Sequence, residues 1–450
     1  MSGLRLAVAS ALARLAGLIL RIGGSGGTSA PGKILLAIAP AAISERSAKL
    51  ERGCVVISAT NGKTTTSAIV AEIMRADGAK LVHNRAGANM AGGIAATLND
   101  QRGDFGLFEV DEFWLPSLVE QLAPRALLLS NLFRDQLDRY GELDQIVDRW
   151  REVVGTDPAR RIVLNADDPL VASLGGEASE PIYFGIDDRG VGNATAQHAS
   201  EQACCPICGA QFSYSLYFVG HLGHYSCPQG HFQRPTPEVS ASEIVLSGLN
   251  GSSFTLAIGS DSFAIQLAMP GLYNVYNAVA AAALAFSIGV DNDTILAGIG
   301  AASPAFGRAE SLQIEGRECS ILLIKNPAGT NEVLRTLASD QESHDLLLVL
   351  NDQIADGRDI SWIWDADFEQ IVGADGLIVC SGNRSVELAL RLKYAGVAED
   401  RISILPELAG ALSAALGGSA NRVVILPTYT AMLEVRDLLV ARGAAAGSFA

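Results

Sequence analysis

Lysine is scarce in this chain of 450 residues, occurring only at Lys33, Lys49, Lys63, Lys80, Lys325 and Lys393. Basic charge as a whole is outnumbered: 33 lysines and arginines face 49 acidic residues, a formal net charge of −16. That balance excludes general affinity for nucleic acid or anionic lipid through the whole surface. Cysteine is thin outside one short span, which holds Cys204, Cys205, Cys208 and Cys227; Cys54, Cys319 and Cys380 sit in or beside predicted strands. Such a distribution excludes a disulfide framework and suggests a metal site plus buried thiols in a reducing compartment. No apolar run is long enough to span a bilayer, because Arg14 interrupts the Ala- and Leu-rich stretch from Leu4 to Ile22. With Arg5 and Arg21 it suits an amphipathic helix, either packed on the next domain or resting on a membrane face, and neither implies secretion. An extended disordered tract is also missing, since 49% of residues are hydrophobic and 18% charged. The length accommodates two or three domains with sizeable cores.

What is present starts at Ser58-Ala59-Thr60-Asn61-Gly62-Lys63-Thr64-Thr65-Thr66. The apolar run Cys54–Ile57 before it reads as a buried parallel strand. After it, Ile69, Val70, Ile73 and Met74 recur at helical spacing, with Gly78 as a C-cap. Strand, glycine-containing loop, Lys-Thr and helix form a phosphate-loop arrangement. Backbone N–H groups and the helix N-terminus face an anion, Lys63 reaches the terminal phosphates, and Thr64 can hold Mg²⁺. The spacing departs from the common G-x-x-x-x-G-K-[ST] form, because Ile57 stands five before Gly62.

From about Arg52 to Gly185 strands and helices alternate, as expected of a doubly wound parallel sheet with ligands beyond the strands' carboxyl ends. The strand 106–110 runs into Asp111-Glu112, the strand 126–130 into Asn131, and the strand 161–164 into Asn165-Ala166-Asp167-Asp168-Pro169. All three polar ends are expected to face the phosphate loop, with Glu109 as a Mg²⁺ ligand or a water-orienting carboxylate.

Between about Asp187 and Glu238 the composition changes. Cys205-Pro206-Ile207-Cys208-Gly209 is a zinc-knuckle half-site, and Cys227-Pro228-Gln229-Gly230-His231 offers a second pair. Cys205, Cys208, Cys227 and His231 make a closed tetrahedral, hence structural, set, with Cys204 and His224 as spare candidates. Arg234 is the one basic side chain among Lys and Arg from Val191 to Ser240, so the module reads as a staple or docking surface and not as a nucleic-acid binder. Two short strands, 253–258 and 263–267, then lead to an Asn-capped, alanine-rich helix from Gly271. On its first turn Asn277 serves either a nucleotide base or a second local cap.

A second strand–helix series fills the remainder, with strands expected at 320–324, 346–350, 376–380, 402–404 and 422–426. Their carboxyl ends carry Lys325-Asn326, Asn351-Asp352, Ser381-Gly382-Asn383-Arg384 and Pro427-Thr428-Tyr429-Thr430. The stretch from Asn351 to Asp365 places Asp352, Asp356 and Asp359 ahead of Trp362 and Trp364. It is either a solvated loop anchored by tryptophan or a catalytic or partner-facing carboxylate.

These residues together resemble the Mur ligase family of peptidoglycan synthesis. The resemblance is carried by residues 59–65, Glu109, Asn131 with the stretch from Asp135 to Gly141, Asn165–Pro169, Tyr273-Asn274 with Asn277-Ala278, and Gly307-Arg308. Departures are equally informative. The usual loop glycine is Ala59, and Gln136 and Tyr273 stand where the family has histidine. No lysine lies between Lys80 and Lys325, so the family's carbamylated lysine, which binds a second Mg²⁺, has no counterpart. The phosphate loop also begins too early for a preceding UDP-sugar domain. These departures disfavour a stand-alone ligase that adds an amino acid to a peptidoglycan precursor, the alternative reading.

The cysteine-bearing insertion and the Asp-Gly-Arg-Asp-x-Ser-Trp stretch are similar instead to the amidating branch of that family, the synthetase-type subunit of a lipid II amidotransferase. This resemblance implies an α/β fold: an N-terminal helical segment (1–49), an ATP-binding unit (50–310) carrying a zinc-ribbon insertion (201–237), and a C-terminal Rossmann-like unit (311–450). It implies ATP, Mg²⁺ and Zn²⁺, a GatD-like glutaminase subunit in a heterodimer, and lipid II met at the inner face of the cell membrane by a cytoplasmic enzyme. Thr60, Asn61, Gly62, Lys63, Thr64, Thr65, Asn131, Asn277 and Arg308 are the expected nucleotide contacts. Lys63 and Glu109 are expected in catalysis. Asp359, with Asp356 and Asp352 as runners-up, is expected to orient the partner's histidine.

Overall fold

The computed structural model describes the chain except residues 1, 23–28, 85–87, 135–142, 197–202, 304–307, 374 and 445–450, and the side chains of 2–4, 21–22 and 308–309. The motif 135–141, Gly307 and the Arg308 side chain therefore lie outside the described residues. Among the described residues eleven strands precede residue 270: β1 (Cys54–Ser58), β2 (Leu81–His83), β3 (Phe105–Glu109), β4 (Ala126–Leu129), β5 (Arg161–Asn165), β6 (Ile182–Ile186), β7 (Ser213–Tyr217), β8 (Gly223–Ser226), β9 (Val239–Leu246), β10 (Ser252–Ile258) and β11 (Asp261–Leu267). Nine of them form one sheet in the order β11-β10-β9-β6-β5-β4-β1-β3-β2. It is parallel from β2 to β9 and closes with the antiparallel β9-β10-β11 edge.

β1 is buried along its whole length, as a central parallel strand must be when both faces are covered. Its alternation divides two cores. Val55 and Ile57 join Ile69, Val70, Ile73 and Met74 of the Lys63–Ala76 helix. Cys54 and Val56 join Leu35, Ile43, Leu115 and Leu118 on the opposite face. The alanine-rich Leu272–Ser287 helix is buried nearly all round on the first face, which its small side chains permit. Its N-cap is Gly271 at φ +86, with no side-chain capping bond, which corrects the expected asparagine cap. Asn274 is instead turned inward, where its Nδ2 donates to the Pro270 carbonyl at 2.8 Å.

The N-terminal helix, Ser2–Ile22, packs through Ala9 and Ala13 onto the Ala30–Ile38 and Ala91–Asp100 helices. Arg14 donates to the Asn99 carbonyl at 3.1 Å, and Arg46 fastens Ser10 and Asn99 at 2.7 and 2.8 Å. Packing on the neighbouring domain, one of the two arrangements expected, is thus what this helix does with one face.

A second sheet gathers β12 (Arg308–Ile314), β13 (Arg317–Leu322), β14 (His344–Val349), β15 (Ile378–Ser381), β16 (Ile402–Ile404) and β17 (Arg422–Pro427). Its order is β12-β13-β17-β14-β15-β16, antiparallel only at β12-β13. Apolar cores cover both faces.

β7 and β8 form a separate hairpin inside the crossover between parallel β6 and β9. It sits on the end of β5, and here the structure corrects an expectation. Asp167 and Asp168 do not face the phosphate loop; they brace other elements. Asp167 is fully buried and accepts from Arg234 Nε at 2.5 Å, Tyr276 Oη at 2.7 Å and the Ile186 amide at 2.8 Å. Burial holds its pKa above the usual aspartate value even though Arg234 opposes the shift. Asp168 accepts from Leu132, Leu170 and Val171 amides, and so pins the chain beyond β4. Tyr225 of β8 donates to the Ala166 carbonyl at 3.1 Å. Replacing Arg234 with methionine removes one partner of a buried pair, and should lower the unfolding free energy by about 3–5 kcal/mol. Chemical denaturation of the variant beside its parent measures this loss.

Candidate active site

The phosphate loop opens on a cleft of about 530 Å³ between the two sheets. Its walls come from the ends of β1, β3 and β4 on one side, and on the other from Lys325, Glu332, Tyr429 and the segment Ile354–Asp356. Gly62 caps the Lys63–Ala76 helix at φ +87. A β-carbon there would stand 2.1 Å from Asn277 Oδ1, so only glycine allows the loop and the central helix to meet. Asn277 Oδ1 accepts from the Thr66 hydroxyl at 3.2 Å, and its Nδ2 donates to Asn274 at 3.1 Å.

Asn131 holds the loop from behind. Its Oδ1 accepts from the Asn61 amide at 2.9 Å and its Nδ2 donates to the Asn61 carbonyl at 3.0 Å. Thr60 does the same work through its hydroxyl, which accepts from the Phe133 amide at 3.1 Å. Thr65 is buried beneath the first turn. The Asn61 side chain pairs reciprocally with Asn326 at 3.0 and 3.3 Å, and Lys325 Nζ lies 3.3 Å from the Thr60 carbonyl. Asn326 in turn caps the Pro327–Ala338 helix. The loop is therefore tied directly to the second sheet's domain.

Lys63 sits on the first turn with its Nζ 2.8 Å from Glu112 Oε2. It also donates to the Ala59 carbonyl. Burial works against the ammonium, but Glu112, with Asp111 and Glu109 beyond it, holds the Lys63 pKa above the ordinary lysine value. Burial likewise opposes the Glu112 carboxylate, and Lys63, reinforced by Lys325, brings it below the ordinary glutamate value. Thr64 donates to Glu109 Oε2 at 2.9 Å. A hydroxyl and a carboxylate oxygen side by side at a helix N-terminus are the hard oxygen donors that Mg²⁺ takes.

Lys63, Thr64, Glu109, Asn61, Gly62, Asn131 and Asn277 are thus brought together. The sequence marks Glu112 and Lys325 only as members of polar strand ends, without the roles they take here as partner of Lys63 and neighbour of the Thr60 carbonyl. Lysine scarcity was the available signal, since two of the six lysines converge on this one cleft.

The three loop aspartates separate. Asp352 pairs with Arg384 at 2.7 Å, which holds its pKa down. Asp356 is buried and accepts from the Thr430 amide at 2.7 Å and the Gln353 amide at 3.2 Å. Asp359 is exposed, and the Ser361 amide and hydroxyl hold its pKa below the ordinary value. The turn it precedes carries Trp364, 49% exposed and edge-on to Tyr394 at 5.7 Å. Val386, Leu390 and Tyr394 line the outer face of the Ser385–Ala395 helix and are also exposed.

In the insertion the donor atoms of Cys205, Cys208, Cys227 and His231 all lie within 4.8 Å of one another. Cys208 and Cys227 Sγ are 3.6 Å apart, close to the edge of a tetrahedral thiolate site. Both turns end in a left-handed glycine, Gly209 at φ +72 and Gly230 at φ +75. Burial disfavours the Cys227 thiolate, but the His231 and Gln229 amides and the neighbouring thiols bring its pKa down to about 6. This is a Cys/His site fit for a metal. Cys204 is exposed and stands outside the group, as does His224, which hydrogen-bonds the Ile186 carbonyl at 2.9 Å.

The sheet, the loop and the carboxylate-lined cleft define the Mur ligase class. The Mur ligase middle domain matches residues 57–223, and the MurT ligase C-terminal model matches 323–432. Among solved structures, a pseudomurein peptide ligase type C from Methanothermus fervidus superposes with a TM-score of 0.67 at 24% identity, covering 87% of this chain and 79% of that one. MurF from Thermotoga maritima, solved in complex with ADP, gives 0.64 at 12%, with 90% and 83% covered. The lipid II isoglutaminyl synthase (glutamine-hydrolyzing) subunit MurT of Streptococcus pneumoniae is 34% identical over 92% of this chain and 93% of its own length. The chain belongs to the MurT family.

The Glu112 carboxylate is depressed by folding. Its stabilising contribution is therefore present above the unfolded glutamate pKa and lost as pH falls through the depressed value. Glu112→Gln should flatten the acid limb of the stability–pH profile, as urea titrations across pH 3–7 would register.

Proposed function

We propose that the chain is the synthetase subunit of a glutamine-dependent lipid II amidotransferase. It converts the D-glutamate α-carboxyl of the stem peptide to D-isoglutamine, in a cytoplasmic complex at the inner membrane face. One observation carries the reading. The loop from Asn351 to Asp359 walls the phosphate-loop cleft with Ile354, Ala355 and Asp356, yet leaves Asp359 exposed at its far end, just before the turn that carries the exposed Trp364. One end of the loop meets the nucleotide site and the other is available to a partner.

In this reading Gly62, Lys63, Thr64 and Thr65 cradle the ATP phosphates, with Asn131, Thr60 and Asn61 fixing the loop's shape. Lys63 exchanges part of its contact with Glu112 for the γ-phosphate. Asn277 and the Arg308 side chain complete the nucleotide contacts. Thr64 and Glu109 would hold Mg²⁺, which neutralises charge developing on the transferred phosphoryl group. The substrate carboxylate attacks the γ-phosphorus and ADP leaves; ammonia then attacks the acyl carbon and inorganic phosphate departs. Residues 1–49, 50–310 with the 201–237 insertion, and 311–450 are the working units of this division of labour.

A GatD-like glutaminase is the ammonia source in a heterodimer. Asp359 is exposed, ionised at neutral pH and unburdened by the arginine that holds Asp352, so it is the aspartate suited to orient a partner's histidine. The exposed apolar side chains Val386, Leu390, Tyr394 and Trp364 would supply apolar contact to the same partner. In the insertion, Cys205, Cys208, Cys227 and His231 hold a structural zinc.

Co-purification with a glutaminase subunit, followed by ATP-dependent amide formation on lipid II, tests the proposal; glutamine-independent addition of a free amino acid would overturn it. Lys63→Ala should reduce amidation by at least about a hundredfold while leaving the complex assembled. Asp359→Asn should abolish glutaminase activity of the complex as well as glutamine-dependent amidation, and wild-type rates would remove Asp359 from its role. Elemental analysis should find one zinc per chain. Cobalt substitution should give thiolate charge-transfer absorption that Cys227→Ser weakens.

A further inference from the structure

The N-terminal helix has two apolar faces, and only one is used. Ala9 and Ala13 are buried in the interior, whereas Val8, Leu12, Leu15 and Ile19 lie at i, i+4, i+7 and i+11 along the opposite side. Their exposures run from 45% for Leu12 to 60% for Ile19. Leu18, at 55%, and Ile34 of the adjoining helix, at 38%, widen the stripe. A helix apolar on both sides belongs in a protein interior or against lipid, and its outer side is covered by nothing within the described residues.

Charge points to the occupant. Residues 1–49 hold six basic side chains (Arg5, Arg14, Arg21, Lys33, Arg46, Lys49) against the single acid Glu45, a net +5, while the rest of the chain carries −21. Arg5, Arg14, Lys33 and Lys49 are exposed. Arg5 and Arg14 are braced by backbone carbonyls of Ile38 and Asn99, contacts that leave their charge uncancelled. No helix among the described residues is long and apolar enough to cross a membrane. We propose that this helix is an interfacial anchor, laying Val8, Leu12, Leu15, Leu18 and Ile19 into an anionic lipid surface with the surrounding basic residues at headgroup level. It lies in the membrane plane, and a strongly acidic protein is thereby held by its one basic end. The rigid seat on the Ala30–Ile38 and Ala91–Asp100 helices fixes how the sheet behind it is presented to that surface.

Vesicle co-sedimentation of the full chain decides the matter, using lipid free of any peptidoglycan precursor so that the outcome is independent of the amidation reading. The chain should sediment with vesicles of equal parts phosphatidylglycerol and phosphatidylcholine, much less with phosphatidylcholine alone, and binding should fall as salt rises. Leu12→Glu with Leu15→Glu should weaken binding by about tenfold or more. These positions face outward, so circular dichroism and melting should match the parent; should that variant fail to fold, Leu15→Trp provides a second reading through a blue shift in emission on vesicle addition. Indifference of the parent chain to anionic vesicles overturns the proposal. So does equal binding by the double variant, or a parent oligomer that this variant dissolves, which would make the stripe a contact between copies.

Discussion

A buried ammonium survives only where carboxylates face it, and Lys63 is met by Glu112 at 2.8 Å with Asp111 and Glu109 behind. That requirement organises much of the molecule. It demands that β1 and β3 run parallel and adjacent, so that the loop after one meets the acids after the other. It places acids at the strand ends that wall the cleft. Thr64 against Glu109 shows the same economy, since the hydroxyl occupies a carboxylate oxygen that a divalent ion could take over.

The second constraint is that the phosphate loop belongs to two domains at once. Asn61 and Asn326 exchange hydrogen bonds across 265 positions of sequence, and Lys325 reaches the Thr60 carbonyl. Because Asn326 also caps the Pro327–Ala338 helix, the loop is joined through one side chain to the start of that helix. Glu332 of that helix lines the cleft, and Asn331 accepts the Asp367 amide beyond the acidic loop. The two halves of the proposed active site are thus mechanically continuous.

Legibility in the sequence followed the range of the interactions. The β1 run, the phosphate loop and its helix were readable because strand, glycine, Lys-Thr and helical periodicity lie within one short stretch. The cysteine–histidine cluster was readable because two turns set its spacing, and the donor atoms of Cys205, Cys208, Cys227 and His231 do lie together. Short or edge strands such as β2 and β12 carried too little pattern to be noticed. The role of Lys325 escaped because nothing near it in sequence refers to Lys63. The strand end Asp111-Glu112 was legible as a polar end facing the loop, but which of Glu109, Asp111 and Glu112 meets the lysine depends on how the chain turns after the strand. The acids after β5 were misplaced for a related reason: an aspartate at a strand end looks the same whether it awaits a ligand or grips Arg234.

The grip on Arg234 also makes the cysteine-bearing module inseparable from the catalytic sheet. A cysteine-bearing hairpin inserted in a crossover looks like an ornament that evolution or an engineer could prune. Here, excision would strip Asp167 of its cation and the Ala166 carbonyl of Tyr225. The insertion is a keystone, and its loss would be felt first by the sheet that holds the nucleotide.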